Sequence, residues 1–207
     1  AEQAGLNLQG VEIIEAPHSD AAAVVAAQRA ADGRLEALIA GSLALSELLD
    51  AVRAQTALHT RRRLSHVFRL DVPGHARPLW LTDAMLHAAP TLADKADIAR
   101  NAIDLLRVMG VEQPRVAVLS ASEQVDAAVP STIDAAALCK MVDAGQIGGG
   151  LIDGPLAFDS AVSPASAQGK HPRSAVAGQA DVLLAPDMET GSMLARQLLY
   201  LGGATAS

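Results

Sequence analysis

Gly-Gly-Gly-Leu-Ile-Asp-Gly-Pro-Leu-Ala-Phe-Asp, residues 148–159, predicts a short buried strand that ends abruptly in a polar break. Gly154 frees the backbone for a close approach that a side chain would block, and Pro155 fixes the exit direction. Ligands of open α/β sheets bind at the carboxyl ends of strands, so Asp153 is a candidate site residue. A strand-end turn in which Asp153 bonds to its own loop is an equally good interpretation. Asp159 is expected to cap a following helix.

Strand and helix patterns alternate along the rest of the chain. Strands are predicted at residues 11–16, 37–40, 64–72, 78–83, 115–119 and 180–185, and helices at residues 21–31, 46–54, 94–109, 131–144, 164–168 and 188–201. The first fifty-odd residues thus follow a β-α-β-α order, which predicts a parallel sheet with right-handed crossovers. The strands at 64–72 and 78–83 are too close in sequence for a helical crossover, so they are predicted to pair antiparallel. Ser131 or Thr132 is expected to cap the helix at 131–144.

Composition limits the class of protein. The chain has 207 residues, of which 50% are hydrophobic and 19% charged, which indicates a globular protein. A net charge of −7 argues against a general nucleic-acid-binding surface. The single cysteine, Cys139, cannot form an intrachain disulfide and fits a reducing cytoplasm. The start of the chain has no signal-peptide pattern, and no apolar run is long enough to span a membrane. We therefore expect a cytoplasmic protein without a membrane or nucleic-acid partner.

Small or acidic polar residues follow several predicted strands. Each is typical of a turn or a cap, but in one parallel-rich sheet all would meet at one edge, which predicts a binding site there. These residues are Gly41-Ser42, Thr82-Asp83, Ser120-Ala121-Ser122, Asp153-Gly154 and Pro186-Asp187. Ser131-Thr132 and Thr190-Gly191-Ser192 begin helices, where backbone N–H groups and the helix dipole favour anions. Ordinary helix capping is the alternative interpretation.

A basic run, Arg61-Arg62-Arg63, precedes Ser65 and His66. Its guanidinium groups suit a phosphate clamp, and a solvated charge cluster is an equally good interpretation. A packed, hydrogen-bonded role within a strand is expected for His66, and a buried, inert thiol for Cys139. No His, Cys and Asp spacing indicates a zinc site, and neither a P-loop nor a GxGxxG motif occurs.

Six stretches along the chain form one ordered set of motifs: Arg62-Arg63-Leu64-Ser65-His66-Val67-Phe68, Leu81-Thr82-Asp83-Ala84, Val116-Ala117-Val118-Leu119-Ser120-Ala121, Pro130-Ser131-Thr132-Ile133-Asp134, Asp153-Gly154-Pro155 and Pro186-Asp187-Met188-Glu189-Thr190-Gly191-Ser192. In residues and in order, these motifs resemble the phosphate acetyltransferase and phosphate butyryltransferase family. The resemblance is strongest to the butyryl-type branch, including the transferase half of fusions with a hydratase-like domain.

The resemblance implies an α/β fold, a three-layer α/β/α enzyme with the two-domain architecture of isocitrate and isopropylmalate dehydrogenases. Residues 1–64 would form part of the first domain, residues 65–187 the second, and residues 188–207 a helix that returns to the first. It further implies an active cleft between the domains and a homodimer formed through the second domain.

Members of the family interconvert acyl-CoA and phosphate with acyl phosphate and CoA. The resemblance implies coenzyme A as a substrate rather than a permanently bound cofactor, and no metal is needed for direct transfer. A carboxylate would deprotonate the CoA thiol, and we expect Asp153 to be the catalytic residue. The residues expected to bind substrate are Gly41, Ser42, Arg62, Arg63, Ser65, Asp83, Ser120, Ser131, Thr132, Gly154, Pro155, Asp187, Gly191 and Ser192.

Three departures from the family pattern support an alternative function. Residues 40–46 lack the lysine, histidine and aspartate of the family's Lys-Gly-Ser-Leu-His-Thr-Asp type of stretch. The chain also begins after the family's first βαβ units and stops before its Ser-Arg segment, so it is expected to be truncated at both ends. The alternative is a degenerate paralogue or fragment that binds CoA or acyl phosphate or mediates dimerisation. A dehydrogenase of related fold is less well supported.

Overall fold

The computed structural model describes residues 7–207, which divide into two compact units after Arg62. The first unit contains two helices, α1 (Ser19–Ala31) and α2 (Leu45–Ala54), and a short 3-10 turn at Thr56–Leu58. Its small core consists mainly of alanines and joins the two helices: Ala23, Ala27 and Ala51, with Leu43 and Val52 packed against them.

The strands predicted at residues 11–16 and 37–40 are absent from the described part of this unit. Both segments are irregular, and their apolar side chains are exposed, with Ile13 71% and Ile39 94% accessible to solvent. An isolated strand is unstable because its backbone N–H and C=O groups need a neighbouring strand. The predicted β-α-β-α start, and its parallel sheet, are therefore wrong for this unit.

The second unit, Arg63–Ser207, is a mixed α/β structure built on one six-stranded sheet. Its strands are β1 (Phe68–Asp71), β2 (Leu79–Thr82), β3 (Arg115–Leu119), β4 (Leu151–Leu156), β5 (Val182–Leu184) and β6 (Thr205–Ala206). Its helices are α3 (Leu92–Val108), α4 (Pro130–Asp143), α5 (Phe158–Val162), α6 (Pro164–Ala167) and α7 (Met188–Tyr200). The strand order is β4-β3-β5-β2-β1-β6. The first four strands in this order are parallel, and β1 pairs antiparallel with β2, as predicted.

Helices cover both faces of the sheet because its central strands are apolar on both faces. In β3, Val116 and Val118 pack towards α3 and α4, whereas Ala117 and Leu119 pack towards α5 and α7. This alternation follows the two-residue period of a strand. Both faces must then be shielded from water, which explains why the strands appear in the sequence as nearly continuous apolar runs.

The polar break predicted after Ile152 lies inside a longer strand. β4 continues to Leu156, and its pairing with β3 shifts by one residue between Asp153 and Leu156. The Gly154-Pro155 peptide within this bulge is cis. A β carbon on Gly154 would lie 2.7 Å from the Val118 carbonyl oxygen, so glycine is required for the close approach of β3 and β4.

Two of the predicted helix caps are also wrong. α5 begins at Phe158 with Ala157 as its N-cap, so Asp159 lies in the first turn. α4 begins at Pro130, and its N-cap is Val129 rather than Ser131 or Thr132. Proline is well suited to the first helical position, because its φ is helical and it lacks an N–H group that the helix would leave unsatisfied.

Residues 188–207 pack on the second unit. Gly191 and Ala195 of α7 are buried, Ala195 in the core beneath the sheet, and β6 pairs with β1. The expected division of the chain after residues 64 and 187, with a last helix that returns to the first domain, stays a prediction. No helix among residues 7–207 has the length and apolar character needed to cross a membrane.

Candidate active site

A cavity of about 870 Å³, the main cavity, opens at the carboxyl edge of the parallel strands. Ser120 follows β3 and Asp187 follows β5, and both line this cavity. The structure thus brings together two of the strand-end residues that the sequence predicted to converge. The N-termini of α3, α4 and α7 also border the main cavity, through Thr91, Ser131 and Thr190.

Four polar side chains in the main cavity form the polar cluster: Lys95, Asp134, Ser120 and Ser131. Lys95 Nζ lies 2.7 Å from Asp134 Oδ2, and the Lys95 side chain is only 5% exposed. The hydroxyl oxygens of Ser120 and Ser131 are 2.9 Å apart. The first pair joins α3 to α4, and the second joins the end of β3 to α4. The polar cluster is therefore positioned by regular structure.

The polar cluster suits an anionic oxygen ligand. The ammonium group of Lys95 has three N–H donors. Within the part of the chain that the structure describes, one of them donates to Asp134. The adjoining helix N-termini add positive potential. The cavity's two carboxylates are already bonded, Asp134 to Lys95 and Asp187 to the N–H of Thr190 at 2.7 Å. A phosphate group has the charge and the acceptors that this arrangement favours.

Asp83, a predicted site residue, is buried and fully bonded. Its Oδ1 accepts the N–H groups of Met85 and Leu86, and its Oδ2 accepts from the His66 N–H and contacts His87 Nδ1 at 2.8 Å. These bonds hold the loop that follows β2. The structure therefore gives Asp83 an anchoring role and places it outside the lining of the main cavity.

Three other predicted residues near helix starts also lie outside this lining. Thr132 is buried, and its hydroxyl bonds to the Asp126 N–H and the Val129 carbonyl. A β carbon on Gly191 would lie 2.8 Å from the Asp83 carbonyl oxygen, so this glycine allows α7 to approach the end of β2. Ser192 lines a separate cavity of about 720 Å³.

Asp153 lies in a smaller cavity of about 370 Å³, which it shares with the basic loop containing Lys170, His171 and Arg173. Its Oδ1 accepts the N–H of Gly154 at 2.8 Å. This local bond is the alternative interpretation that the sequence left open. Gly154 and Pro155 form the bulge of β4 and do not line the main cavity.

The predicted basic cluster is divided between the two units. Arg63 forms an ion pair with Asp94, and its backbone N–H donates to Asp97. The Ser65 hydroxyl accepts from Asn101 at 3.0 Å. Both residues therefore attach the start of the second unit to α3. Arg62, Gly41 and Ser42 lie in the first unit. The phosphate clamp expected for Arg62 and the substrate contacts expected for Gly41 and Ser42 stay predictions.

His66 precedes β1 instead of lying within it, and its ring packs edge-on against Phe68 with 4.4 Å between ring centroids. Burial lowers the pKa of its imidazole. Within residues 7–207, its Nδ1 has no hydrogen-bond partner, so the predicted hydrogen bond is missing at this atom. The packed role is confirmed, and nothing in its position indicates a general base.

Cys139 is partly buried in α4, and its thiol donates to the Gly154 carbonyl at 3.5 Å. Burial, together with the charge of nearby Asp153, raises the pKa of this thiol to about 11. Since the thiolate is the reactive form, we expect the native thiol to react with a disulfide reagent at pH 8 about 10²-fold more slowly than the unfolded chain. Absorbance of the released chromophore, with and without guanidinium, measures both rates. Equal rates would show that the thiol is accessible and ionised.

Lys95 and Asp134 were not among the site residues predicted from the sequence. A signal for Lys95 existed, because it falls on the apolar stripe of α3 at helical spacing from Ile98, Ala99 and Ala102, all of which are buried. A lysine on such a face needs a partner. Asp134 had no comparable signal, since a carboxylate in the first turns of a helix is ordinary. Among residues 7–207, no group of three or more His, Cys, Asp or Glu side chains is arranged to hold a metal ion.

The chain is similar to known acyltransferases over nearly all of its length. It is 51% identical over 203 residues to a phosphate acetyltransferase of Rhizobium meliloti, covering 98% of this chain and 64% of that protein. It is 36% identical over 197 residues to a phosphate butyryltransferase of Clostridium acetobutylicum, covering 95% of this chain and 65% of that protein. The chain therefore spans just under two thirds of the length of these curated relatives.

Solved structures show the same fold. A branched-chain phosphotransacylase from Enterococcus faecalis V583 superposes with a TM-score of 0.82 at 26% identity, covering 94% of this chain and 70% of that one. The model of the family described as "Phosphate acetyl/butaryl transferase" matches residues 7–207. This chain belongs to the phosphate acetyl/butyryl transferase family.

Proposed function

We propose that the protein containing this chain is a phosphate acyltransferase, which interconverts acyl-CoA and phosphate with acyl phosphate and CoA. The proposal depends mainly on the polar cluster, which lies in one cavity of this chain beside three helix N-termini. The family of the chain supports the same reaction. Such a site can bind phosphate beside a reacting carbonyl group. Coenzyme A is the product in the direction of acyl phosphate formation and a substrate in the reverse direction, so it is not a permanently bound cofactor.

The reaction needs a cation for phosphate and a donor for a developing oxyanion. An oxygen of hydrogen phosphate attacks the thioester carbonyl and forms the new C–O bond, the C–S bond breaks, and the CoA thiolate leaves and takes up the proton that the phosphate loses. In our proposal Lys95 and the helix N–H groups bind the phosphate. One hydroxyl of the Ser120–Ser131 pair donates to the other, and the remaining O–H donates to the carbonyl oxygen as it becomes negative. The reverse reaction uses the same contacts.

Other features proposed for this protein rest on family membership alone. They are the dehydrogenase-like two-domain architecture, a homodimer formed through the second unit and a cytoplasmic location. Asp153 as the base that deprotonates CoA also stays a prediction, since Asp153 and the polar cluster line different cavities.

Free thiol release tests the proposal. The protein at its full natural length is incubated with phosphate and either acetyl-CoA or butyryl-CoA, and the released CoA is followed with a thiol reagent. Ser120→Ala and Ser131→Ala should each lower kcat/KM about 10- to 100-fold, as expected for a lost donor to the oxyanion. Ser166→Ala is the matched control, because this serine lies in α6 away from the main cavity. No release from either acyl-CoA by the unmodified protein would contradict the proposal and favour the degenerate-paralogue alternative.

A further inference from the structure

We propose that His87 is a positioning residue for the main cavity, because it fixes the loop between β2 and α3 against Asp83. This inference rests on the proposed function, since it assigns a residue that sets the phosphate-binding part of the same cavity. The last three residues of the loop, 89–91, line the main cavity, and α3 begins immediately after them. The course of the loop therefore decides where one wall of the cavity and the N-terminus of α3 lie.

A carboxylate holds each end of this loop. Asp83 Oδ1 accepts two backbone N–H groups at the start of the loop, both at 2.9 Å. Asp94 Oδ2 accepts the backbone N–H of Thr91 at 2.9 Å and its hydroxyl at 2.8 Å. Between these anchors, the backbone groups of residues 87–90 make no hydrogen bond with any other part of residues 7–207. The middle of the loop therefore depends on side chains for its position.

His87 supplies the bond that the middle of the loop otherwise lacks. Its Nδ1 lies 2.8 Å from Asp83 Oδ2. A carboxylate can only accept, so Nδ1 carries a proton and is the donor. The Asp83 side chain is 2% exposed and that of His87 is 16% exposed. A hydrogen bond to a charged group is stronger when it is shielded from water in this way, so the bond can hold the loop against the solvent.

His87 also lies near the second anchor of the loop. Bonds from Thr91 lower the pKa of the Asp94 carboxyl, and the positive charges of Arg63 and His87 lower it further. The imidazole is thus close to both carboxylates that hold the loop. Lys95, the cation of the polar cluster, directly follows Asp94 in the first turns of α3. We therefore expect a loss of the His87 bond to shift the groups that bind phosphate.

Two substitutions at position 87 separate the donor from the bulk of the side chain. His87→Leu keeps much of the volume but removes the donor, and it should raise KM for phosphate about 10-fold while KM for the acyl-CoA changes by less than about 2-fold. His87→Asn should keep KM for phosphate within about 2-fold of the unmodified protein. The reason is that the asparagine amide nitrogen and histidine Nδ1 are both attached to Cγ, so an N–H donor is retained at a similar place.

An exposed histidine pair provides the matched control. His18 Nδ1 also lies 2.8 Å from a carboxylate, that of Asp20, but these side chains are 65% and 66% exposed. An exposed pair contributes little, so His18→Leu should change neither KM. All assays use the protein at its full natural length.

Calorimetric titration with phosphate supplies a second readout that does not depend on turnover. Kd for phosphate should rise about 10-fold in His87→Leu and stay within about 2-fold in His87→Asn. A variant that only loses folded protein would bind with an unchanged Kd and a reduced stoichiometry. An unchanged Kd in His87→Leu, or an equal loss in His87→Asn, would therefore overturn the inference. If the unmodified protein releases no thiol but its phosphate binding follows the expected pattern, the proposed reaction fails while the role of His87 stands.

Discussion

Replacing Lys95 by Met is expected to abolish most acyl transfer, with kcat/KM about 10³-fold lower. The ammonium is the cation of the polar cluster, and its side chain is 5% exposed beside Asp134. The substitution leaves the Asp134 carboxylate, 27% exposed, without its partner. We therefore expect an additional loss of about 2 to 3 kcal/mol in the free energy of unfolding. Thiol release measures the first effect, and urea unfolding measures the second.

The double substitution Lys95→Met with Asp134→Leu separates these effects. Apolar side chains of similar size replace both charges, so the free energy of unfolding should return to within about 1 kcal/mol of its original value. Activity should stay about 10³-fold low, because the phosphate-binding cation is still missing. Recovery of activity together with stability would show that Lys95 serves folding alone.

An exposed pair on α4 provides the matched control. Lys140 and Asp143 are 79% and 69% exposed, and their charged atoms are 3.7 Å apart. Exposed ion pairs contribute little, so Lys140→Met should change the free energy of unfolding by no more than about 0.5 kcal/mol. It should not change kcat/KM. A large loss of activity in this variant would indicate a general effect of removing positive charge.

Replacing Gly154 by Ala is expected to lower the free energy of unfolding by about 3 kcal/mol. The added β carbon would lie 2.7 Å from the Val118 carbonyl oxygen and 2.9 Å from the Val118 β carbon. Both atoms belong to the neighbouring strand, which can yield only by moving backbone. Urea unfolding followed by circular dichroism measures the change.

Gly148→Ala is the control for this substitution. A β carbon at Gly148 would meet nothing within 4 Å, so the free energy of unfolding should change by less than about 1 kcal/mol. The resemblance implied a substrate-binding role for Gly154, and a glycine with that role alone would affect activity rather than the free energy of unfolding. If Gly154→Ala lost activity while its stability was unchanged, the glycine would serve binding rather than the approach of two strands.

Sequence patterns located the elements of the second unit well and those of the first unit poorly. The runs at β3 and β5 and the stripe of α3 are strong signals, because burial on a sheet or helix face dictates their spacing. Residues 37–40 are equally apolar, and residues 11–16 are apolar except at Glu12 and Glu15, but both segments are irregular. Propensity alone does not make a strand, because pairing depends on a neighbour elsewhere in the chain.

The candidate site was predicted in part. Ser120, Ser131 and Asp187 were identified because strand ends and helix starts of a parallel sheet meet at one edge. The same rule also selected Asp83 and Asp153, which the structure places in other surroundings. The end of a strand fixes the position of a residue's backbone, but local hydrogen bonds decide whether its side chain faces the cavity.

The family of this chain and the order of elements in its second unit were predictable from the sequence, since both depend on local pattern. Only the tertiary structure revealed which polar groups share a cavity. Lys95 and Asp134 are 39 positions apart and meet because α3 and α4 pack on the same face of the sheet. Long-range packing of this kind depends on the shape of the whole core, and no local pattern in the sequence records it.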